Sequence, residues 1–180
     1  VNHPILSNEE LGRLRGIRKN GFKTKTISLL LDASRKGDFG RTLEDICRQA
    51  SSAIKQGFTF IILSDRGVDE KHAALPALLA VAAVHHYLVR RALRTQISII
   101  LESGEPREAH HFALMFGYGA DCVNPYLAYE AVNYLIREKE LMLDPQKALR
   151  NYIKAVDKGL LKILSKMGIS TLQSYRGAQI

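Results

Sequence analysis

Polar side chains that could do chemistry follow apolar segments with the character of β-strands. Ligands of parallel α/β proteins bind at the carboxyl ends of the strands. Asp65 and Glu102, on neighbouring strands, could act as a carboxylate pair, and Arg66 could hold an anion. The same residue types cap helices and pair across loops, and we favour this structural role over a catalytic one. The polar rim comprises Asp32, Ser64, Asp65, Arg66, Glu102, Ser103 and Asn124.

Two adjacent pairs of histidines, His85-His86 and His110-His111, could bind zinc or shuttle protons. Neighbouring residues of a helix point about 100° apart, so each pair offers only one ring to a given site. The HExxH motif is absent, and a metal site would need both helices to converge. We expect one buried, hydrogen-bonded ring in each pair, with the other at the edge of the packing surface, and predict no metal ligand.

Motifs for phosphate binding and nucleophilic catalysis are weak or absent. The segment 117–119 (GYG) precedes a strand, which fits a helix end and a turn. Ser103 and Gly104 lie between a strand and a helix, but Glu105 would repel a phosphate and is better placed to complement the dipole of the helix that follows. Cys47 lies inside a predicted helix without an adjacent base. We predict no catalytic and no cofactor-binding residue.

Helices and strands alternate along the chain. Ser7 and Glu10 form a capping box that opens the first helix. Four apolar strands without polar alternation indicate a parallel sheet. Helices between them are indicated by a cap pair, Thr42 with Asp45, and by prolines suited to first helical turns. The strands are predicted at 26–31, 59–63, 96–101 and 120–123, and the prolines are Pro76, Pro106, Pro125 and Pro145, the last following Asp144.

This pattern predicts an α/β fold with a parallel sheet of about four strands, flanking helices and a helical C-terminal tail. Right-handed crossovers would give either part of a barrel or an open doubly wound layer. We expect a single domain over residues 1–180. It would have an entry helix in 1–22, strand-helix units in 23–138 and C-terminal helices in 144–180.

Composition is that of a globular domain. With 180 residues, of which 46% are hydrophobic and 24% charged, the chain can bury a sizeable core. The longest apolar segment, 73–84, is broken by Pro76, so we expect no membrane partner. The amino terminus lacks signal-peptide features and two cysteines show no metal or redox spacing, which indicates a cytoplasmic location. The chain does not begin with methionine, and a helix start at Ser170 stops early, which is typical of a piece of a longer chain.

The formal net charge of +8 is spread over scattered basic residues. Lys158, Lys162 and Lys166 have four-residue spacing and would lie along one helical face. Solvated helix faces are the first explanation, and docking onto another domain or an acidic partner is the second. Nucleic acid is an unlikely third, because no recognised binding motif accompanies the charge.

Several long segments of the sequence resemble those of one protein family. They are SDRGVD, ALLAVAAVHH, ESGEPREAHHFAL, GYGADCVNPYLA and KGLLKILSKMGISTLQSYRGAQ. The chain resembles the later part of the central domain of the glutamate synthase large subunit, an amidotransferase that makes glutamate from glutamine and 2-oxoglutarate. The resemblance implies a partial, barrel-like (βα) arrangement and a non-catalytic structural role.

The resemblance also implies partners and cofactors. The partners would be the glutaminase and FMN domains of the same parent chain. FMN and an iron–sulfur cluster would belong to that parent, with no cofactor in this fragment. Tyr87 departs from a longer histidine run in relatives, which weakens a histidine-based function. The four histidines, Asp65, Arg66, Glu102 and Asn124 are then candidates for a domain interface or pocket.

Three functions remain in competition at this stage. The first is a structural domain that connects the glutaminase and FMN domains. The second is a stand-alone (βα) enzyme or binding domain for a small anionic metabolite, suggested by the polar rim. The third is an RNA-binding or other polyanion-binding module, suggested by charge alone.

Overall fold

Four parallel strands form the centre of the computed structural model, which describes residues 3–19, 21–34 and 39–179. Strand bounds are β1 (Arg18–Lys19), β2 (Phe22–Ser28), β3 (Leu30–Asp32), β4 (Phe60–Ser64), β5 (His72–Ala74), β6 (Ser98–Glu102) and β7 (Cys122–Asn124). The main sheet has the order β1-β2-β4-β6-β7, and all pairs are parallel except β1 with β2. The predicted parallel sheet of about four strands is confirmed.

The helices connect these strands and continue beyond them. Their bounds are α1 (Asn8–Arg15), α2 (Phe39–Lys55), α3 (Ala77–Val89), α4 (Ala109–Gly117), α5 (Tyr126–Arg137), α6 (Pro145–Lys166) and α7 (Leu172–Tyr175). No helix of the described residues has both the length and the apolar character needed to cross a membrane.

The two faces of the sheet are buried by different helices. On one face Ile61, Leu63, Ile99 and Leu101 pack in one core with buried residues of α2, α3 and α4. On the other face Ile62 and Ile100 pack with Leu6, just before α1, and with Leu11, within α1. Both faces of these strands are therefore apolar, as in parallel sheets generally. The helix residues of this first core include Ile46, Val84 and Phe112.

Strand order decides between the two arrangements that the sequence allows. Neighbouring parallel strands follow one another in chain order, and the connecting helices α2, α3 and α4 share one core. A doubly wound sheet would reverse its strand order and carry connecting helices on both faces. The arrangement is that of part of a (βα) barrel, in which α1 covers the face that would line the barrel interior.

The first predicted strand, 26–31, is divided between two sheets. Strand β2 ends at Ser28, and β3 pairs antiparallel with β5 in a separate ribbon. Leu29 joins the two parts, since its N–H donates to the carbonyl of Ser64 and its own carbonyl accepts from Leu75. The segment is apolar throughout, so hydropathy carries no sign of the change of partner. Asp32 consequently lies in the ribbon, and its prediction as an end of the parallel sheet is wrong.

Helix starts differ from prediction at several positions. Thr42 lies inside α2, so its assignment as a cap with Asp45 is wrong. Pro106 precedes the N-cap of α4, Glu108, and is outside the first turn. Pro76 and Pro125 occupy N-cap positions, one residue ahead of the helices they introduce. The capping box of Ser7 with Glu10, the cap at Asp144 and Pro145 in the first turn of α6 are confirmed.

The C-terminal helices pack back onto α4. Gly159, inside α6, lies so close to α4 that a Cβ there would stand 2.5 Å from the Cβ of Ala109. The glycine, a weak point by helix propensity, therefore permits a close helix contact. Gly168, with φ of +67°, follows the end of α6 as predicted.

Candidate functional site

Glu102 is the centre of the polar rim and is almost completely buried, with 2% of its side chain exposed. Its Oε2 accepts a hydrogen bond from Ser64 Oγ at 2.5 Å and another from an Arg15 guanidinium nitrogen at 2.6 Å. Its Oε1 accepts from Arg66 Nε at 2.9 Å. Two cations and a hydroxyl thus satisfy this carboxylate within the domain.

Asp65 belongs to a different cluster. Its Oδ2 accepts from Ser103 Oγ at 2.5 Å, and the backbone N–H of Gly104 donates to both carboxylate oxygens at 3.1 and 3.2 Å. Tyr126 interacts electrostatically with the same carboxylate. Burial, followed by the charge of Asp65, raises the pKa of Tyr126 to about 12.

Strand geometry explains why these two carboxylates have separate partners. Ser64, Glu102 and Asn124 are in register on adjacent strands, so their side chains point to the face covered by α1. Asp65 and Ser103 come one residue later and point to the opposite face. Each carboxylate has its own donors on its own side of the sheet, and this geometry does not favour an Asp65–Glu102 pair that acts together.

Arg66 lies across the mouth of the Glu102 cluster. It is ion-paired with Glu102 and, at 3.4 Å, with Glu130 of α5, and its guanidinium lies 4.0 Å from the centre of the Tyr126 ring. Burial lowers the pKa of Arg66, but the hydrogen bonds and charges of Glu102 and Glu130 outweigh it and raise that pKa. The cation is thus committed to carboxylates of its own chain.

Asn124 fixes the segment before α1 to the end of β7. Its Nδ2 donates to the Leu6 carbonyl at 2.9 Å and to Asn8 Oδ1 at 3.0 Å, and Tyr129 donates to the same carbonyl. The side chain is fully buried. Because Leu6 also pairs through its backbone with Val123, this contact closes the free edge of β7.

His85 lies in a second cluster, at the amino ends of the strands. Arg94, which is buried, donates from Nε to His85 Nδ1 at 3.0 Å and from another guanidinium nitrogen to Asp121 Oδ2 at 2.9 Å. Asp121 also binds Arg176 and accepts from the Ile99 N–H at 2.7 Å. Burial, then the charges of Arg94 and the neighbouring histidine, lowers the pKa of His85 to about 4.

The other histidines are more exposed. His86 and His110 are exposed, and His86 contacts the ring of His85 edge to face. His111 is partly exposed, and its Nδ1 accepts from the backbone N–H of Arg107 at 3.1 Å. One ring of each pair is hydrogen-bonded as predicted, but neither is fully buried, since His85 is half-buried and the His111 side chain is 42% exposed. Among the described residues, no group of three His, Cys, Asp or Glu side chains is placed to hold a metal ion.

Two further assignments change in three dimensions. Glu105 accepts from the backbone N–H of Ala77 at 2.9 Å, so it caps α3 rather than the helix that follows it in sequence. Arg94 departs from the expectation that the basic residues lie on solvated helix faces, since it is only 9% exposed.

Sequence reasoning also missed partners of these clusters. Tyr126 follows the polar rim directly in sequence, so its position beyond the end of a strand was the available signal. The remaining partners come from distant segments without any local signal, and they are Arg15, Arg94, Asp121 and Arg176.

Both cysteines are poorly suited to nucleophilic chemistry. Burial raises the pKa of Cys47, and it raises the pKa of Cys122 to about 11. Both are free thiols, one on α2 and one on β7. Neither is activated as a thiolate.

Sequence comparison identifies the family of this fold. The family described as the glutamate synthase central domain matches residues 1–180. The chain belongs to the glutamate synthase central domain family. This central domain is 48% identical over 177 residues to the glutamate synthase [NADPH] large chain of Bacillus subtilis. It is 41% identical over 182 residues to glutamate synthase [NADH] of Schizosaccharomyces pombe, and 40% identical over 192 residues to the ferredoxin-dependent glutamate synthase of Pyropia yezoensis.

The central domain is a small part of these relatives. The matches cover 98%, 98% and 100% of this chain but only 11%, 9% and 12% of the respective relatives. The chain therefore spans about a tenth of the length of these relatives.

Solved structures with a similar fold confirm the barrel-like architecture. A mutant flavocytochrome b2 with benzoylformate matches with a TM-score of 0.59 at 14% identity, over 72% of this chain and 31% of that one. DHODH from Eimeria tenella in complex with ferulenol matches with a TM-score of 0.54 at 18% identity, over 86% and 37%. At these identities the similarity concerns the fold alone.

Proposed function

We propose that this central domain is a structural element that links the glutaminase and FMN domains of a glutamate synthase and performs no chemistry itself. The parent enzyme would form glutamate from glutamine and 2-oxoglutarate. The observation that carries this proposal is that the buried carboxylates of the polar rim are hydrogen-bonded within the domain. Glu102 and Asp65 are buried and satisfied by donors of the domain itself.

An anion-binding function would require free donors at the same edge of the sheet. Arg15 and Arg66 both point to Glu102, and Glu130 adds a further negative charge beside Arg66. The backbone N–H of Gly104, between a strand and a helix, already donates to Asp65. A phosphate or carboxylate ligand would have to displace these contacts and would meet buried negative charge.

The residues of the domain do not fit the cofactors of the parent. FMN carries a phosphate, which the carboxylates of the polar rim oppose. An iron–sulfur cluster requires several cysteine thiolates, whereas this chain has two cysteines, on separate elements. We assign both cofactors to other domains and derive no step through them. Two free cysteines also support a reducing, cytoplasmic setting.

The interior face offers further support for a structural role. In a complete barrel the active site lies at the carboxyl end of the strands, above a packed interior. Here α1 lies across that interior face, and Arg15 at its end holds Glu102. This ion pair thereby fixes α1 against the polar rim.

The test uses the full-length parent enzyme with Glu102→Gln and, as its control, Glu130→Gln. We expect each half-reaction, glutamine hydrolysis and 2-oxoglutarate-dependent glutamate formation, to retain its activity at temperatures where the variant is folded. Glu102→Gln should instead lower the thermal stability of the enzyme and the amount of glutamate formed per glutamine consumed. Abolition of one half-reaction in a folded Glu102→Gln enzyme would identify a catalytic group and overturn the proposal.

A second experiment separates the structural role from a metabolite-binding role. Thermal unfolding of this chain with 2-oxoglutarate, glutamine or FMN should show no saturable rise in midpoint, because a ligand of the folded state must stabilise it. A saturable rise that disappears in Arg66→Gln would support a binding site at the polar rim instead.

A further inference from the structure

Helix α6 has one side in the core and an opposite side that carries six exposed cations. Ala148, Val156, Leu160 and Leu164 are its buried residues. Its exposed cations recur at three- and four-residue intervals and so lie on the opposite side of the helix. This basic face consists of Lys147, Arg150, Lys154, Lys158, Lys162 and Lys166, all of which are exposed.

The charge of the basic face is not compensated within the described part of the chain, where none of the six cations has a carboxylate within salt-bridge distance. Other surface arginines differ, since Arg13 pairs with Glu9, and Arg48 pairs with Glu44 and Asp45. Like charges four residues apart destabilise a helix. This repulsion has no compensating ion pair among the described residues.

The one acidic residue within α6 does not neutralise this face. Asp157 is partly buried, and burial raises its pKa, while the charge of His3 opposes that rise. Its helical position is next to the buried residues Val156 and Leu160. Asp157 follows Lys154 by three residues, but among the described residues no salt bridge joins it to a cation of this face.

An exposed leucine lies among the cations. Leu161 is 66% exposed and is flanked in the helix by Lys158 and Lys162. Protein interfaces combine an apolar centre with a polar rim. The exposed side of the helix carries no aromatic residue, and five of its six cations are lysines. Single-stranded nucleic acids bind surfaces on which their bases stack against aromatic side chains, so the lack of aromatic residues here favours a protein partner.

We propose that the basic face of α6, with Leu161, docks onto an acidic surface of another domain of the parent glutamate synthase. The inference rests on the proposed function as a linking domain. An acidic surface complements the charge of the basic face. The relatives are long enough to supply it from another domain, because this chain covers only 9 to 12% of their length. The helix of 22 residues presents a surface about 33 Å long, enough for a domain contact.

The test is zero-length carbodiimide cross-linking of the full-length parent enzyme, read by mass spectrometry. This reagent joins lysine amines only to carboxylates that they contact. We expect Lys158 and Lys162 to form amide bonds with Asp or Glu residues outside these 180, with yields several-fold above those of Lys71 and Lys139. These two control lysines are exposed in loops outside α6. The yields should fall in about 0.5 M salt, where charge attraction is screened.

Substitutions give a second readout. Lys158→Glu with Lys162→Glu should expose the remaining lysines of the basic face to acetylation several-fold faster, whereas Lys71→Glu with Lys139→Glu should leave their rates unchanged. Equal cross-linking of test and control lysines would overturn the proposal. Protection of the basic face that nuclease treatment removes would overturn it in favour of a nucleic-acid partner.

These outcomes are independent of the test for the proposed function. If Glu102→Gln abolishes a half-reaction while the cross-links form, the domain is catalytic and the docking surface stands. If both half-reactions persist and the cross-links are absent, the docking surface alone fails.

Discussion

Arg94 donates a hydrogen bond to His85 Nδ1 at 3.0 Å, and the same guanidinium is ion-paired with Asp121 at 2.9 Å. The contact requires a neutral imidazole, because a protonated ring has no acceptor at that nitrogen. A histidine that sequence alone offers as a zinc or proton-transfer group is thereby a fixed acceptor within a structural network.

The first prediction concerns pH. The pKa of His85 is lowered to about 4 in the fold, from 6.5 in a model compound. Between these values the unfolded chain binds the extra proton, so stability is fully present above pH 6.5 and is lost as pH falls toward 4. After allowance for partial exposure, we expect His85 to contribute roughly 2 kcal/mol to this loss.

Denaturant unfolding at several pH values checks this expectation. His85→Gln should flatten the fall in the free energy of unfolding between pH 6.5 and 4, whereas His110→Gln, on an exposed side chain, should leave it unchanged. The same slope in wild type and His85→Gln would contradict the prediction.

The second prediction concerns Asp121, which joins Arg94 and Arg176. Asp121→Asn leaves the buried Arg94 without its ion-pair partner and should lower the free energy of unfolding by about 3 kcal/mol. Asp45→Asn removes an exposed pair with Arg48 and should change it by less than about 1 kcal/mol.

The same substitution should release the C-terminal segment, because Arg176 is held by Asp121 and Gly177 by the Gly117 carbonyl. Limited trypsin digestion should cleave Asp121→Asn after Arg176 faster than wild type. Equal cleavage rates would show that the segment is held without this ion pair.

The third prediction compares two carboxylates bound by Arg66. Glu102→Ala removes a group that is 2% exposed and leaves Arg15, Arg66 and Ser64 without their acceptor. We expect a loss of about 3 kcal/mol, against less than about 1 kcal/mol for Glu130→Ala, whose side chain is 54% exposed. Chemical denaturation measures both, and equal losses would refute the central position of Glu102.

The fourth prediction concerns glycines in helices. Gly159→Ala adds a Cβ 2.5 Å from that of Ala109, so overpacking should outweigh the gain in helix propensity by about 1 kcal/mol. Gly12→Ala on α1 meets nothing within 4 Å and should stabilise by up to about 1 kcal/mol.

A second substitution tests the cause. Ala109→Gly should rescue Gly159→Ala, because it removes the methyl group on the other side of the contact. A double-mutant cycle of thermal unfolding gives the coupling free energy, and additive effects would contradict the close contact.

Local sequence signals predicted those features that depend on neighbouring residues. Ser7 with Glu10, and Asp144 with Pro145, form helix starts as expected, since a cap involves only a few adjacent residues. The apolar strands were also recognised. Thr42 failed as a cap because the same short pattern occurs inside helices, and helix starts depend on where the chain enters the fold.

The polar rim shows what local signals omit. Sequence placed Asp65 and Glu102 at the ends of neighbouring strands, where the structure has them. It could not show that they point to opposite faces, because that depends on the register between strands. Their partners Arg15 and Tyr126 come from other segments.

The sequence by itself determined the family, the alternation of strands and helices and the two-sided burial of the sheet, because these depend on composition and short-range pattern. Only the tertiary structure decided that the strands follow one another as in part of a barrel and that donors of the domain itself hydrogen-bond the carboxylates of the polar rim. It also decided that the cations of α6 have no ion-pair partner among the described residues. The physical reason is that ion pairing and burial depend on distances of a few ångströms between residues far apart in the chain, such as Arg15 and Glu102.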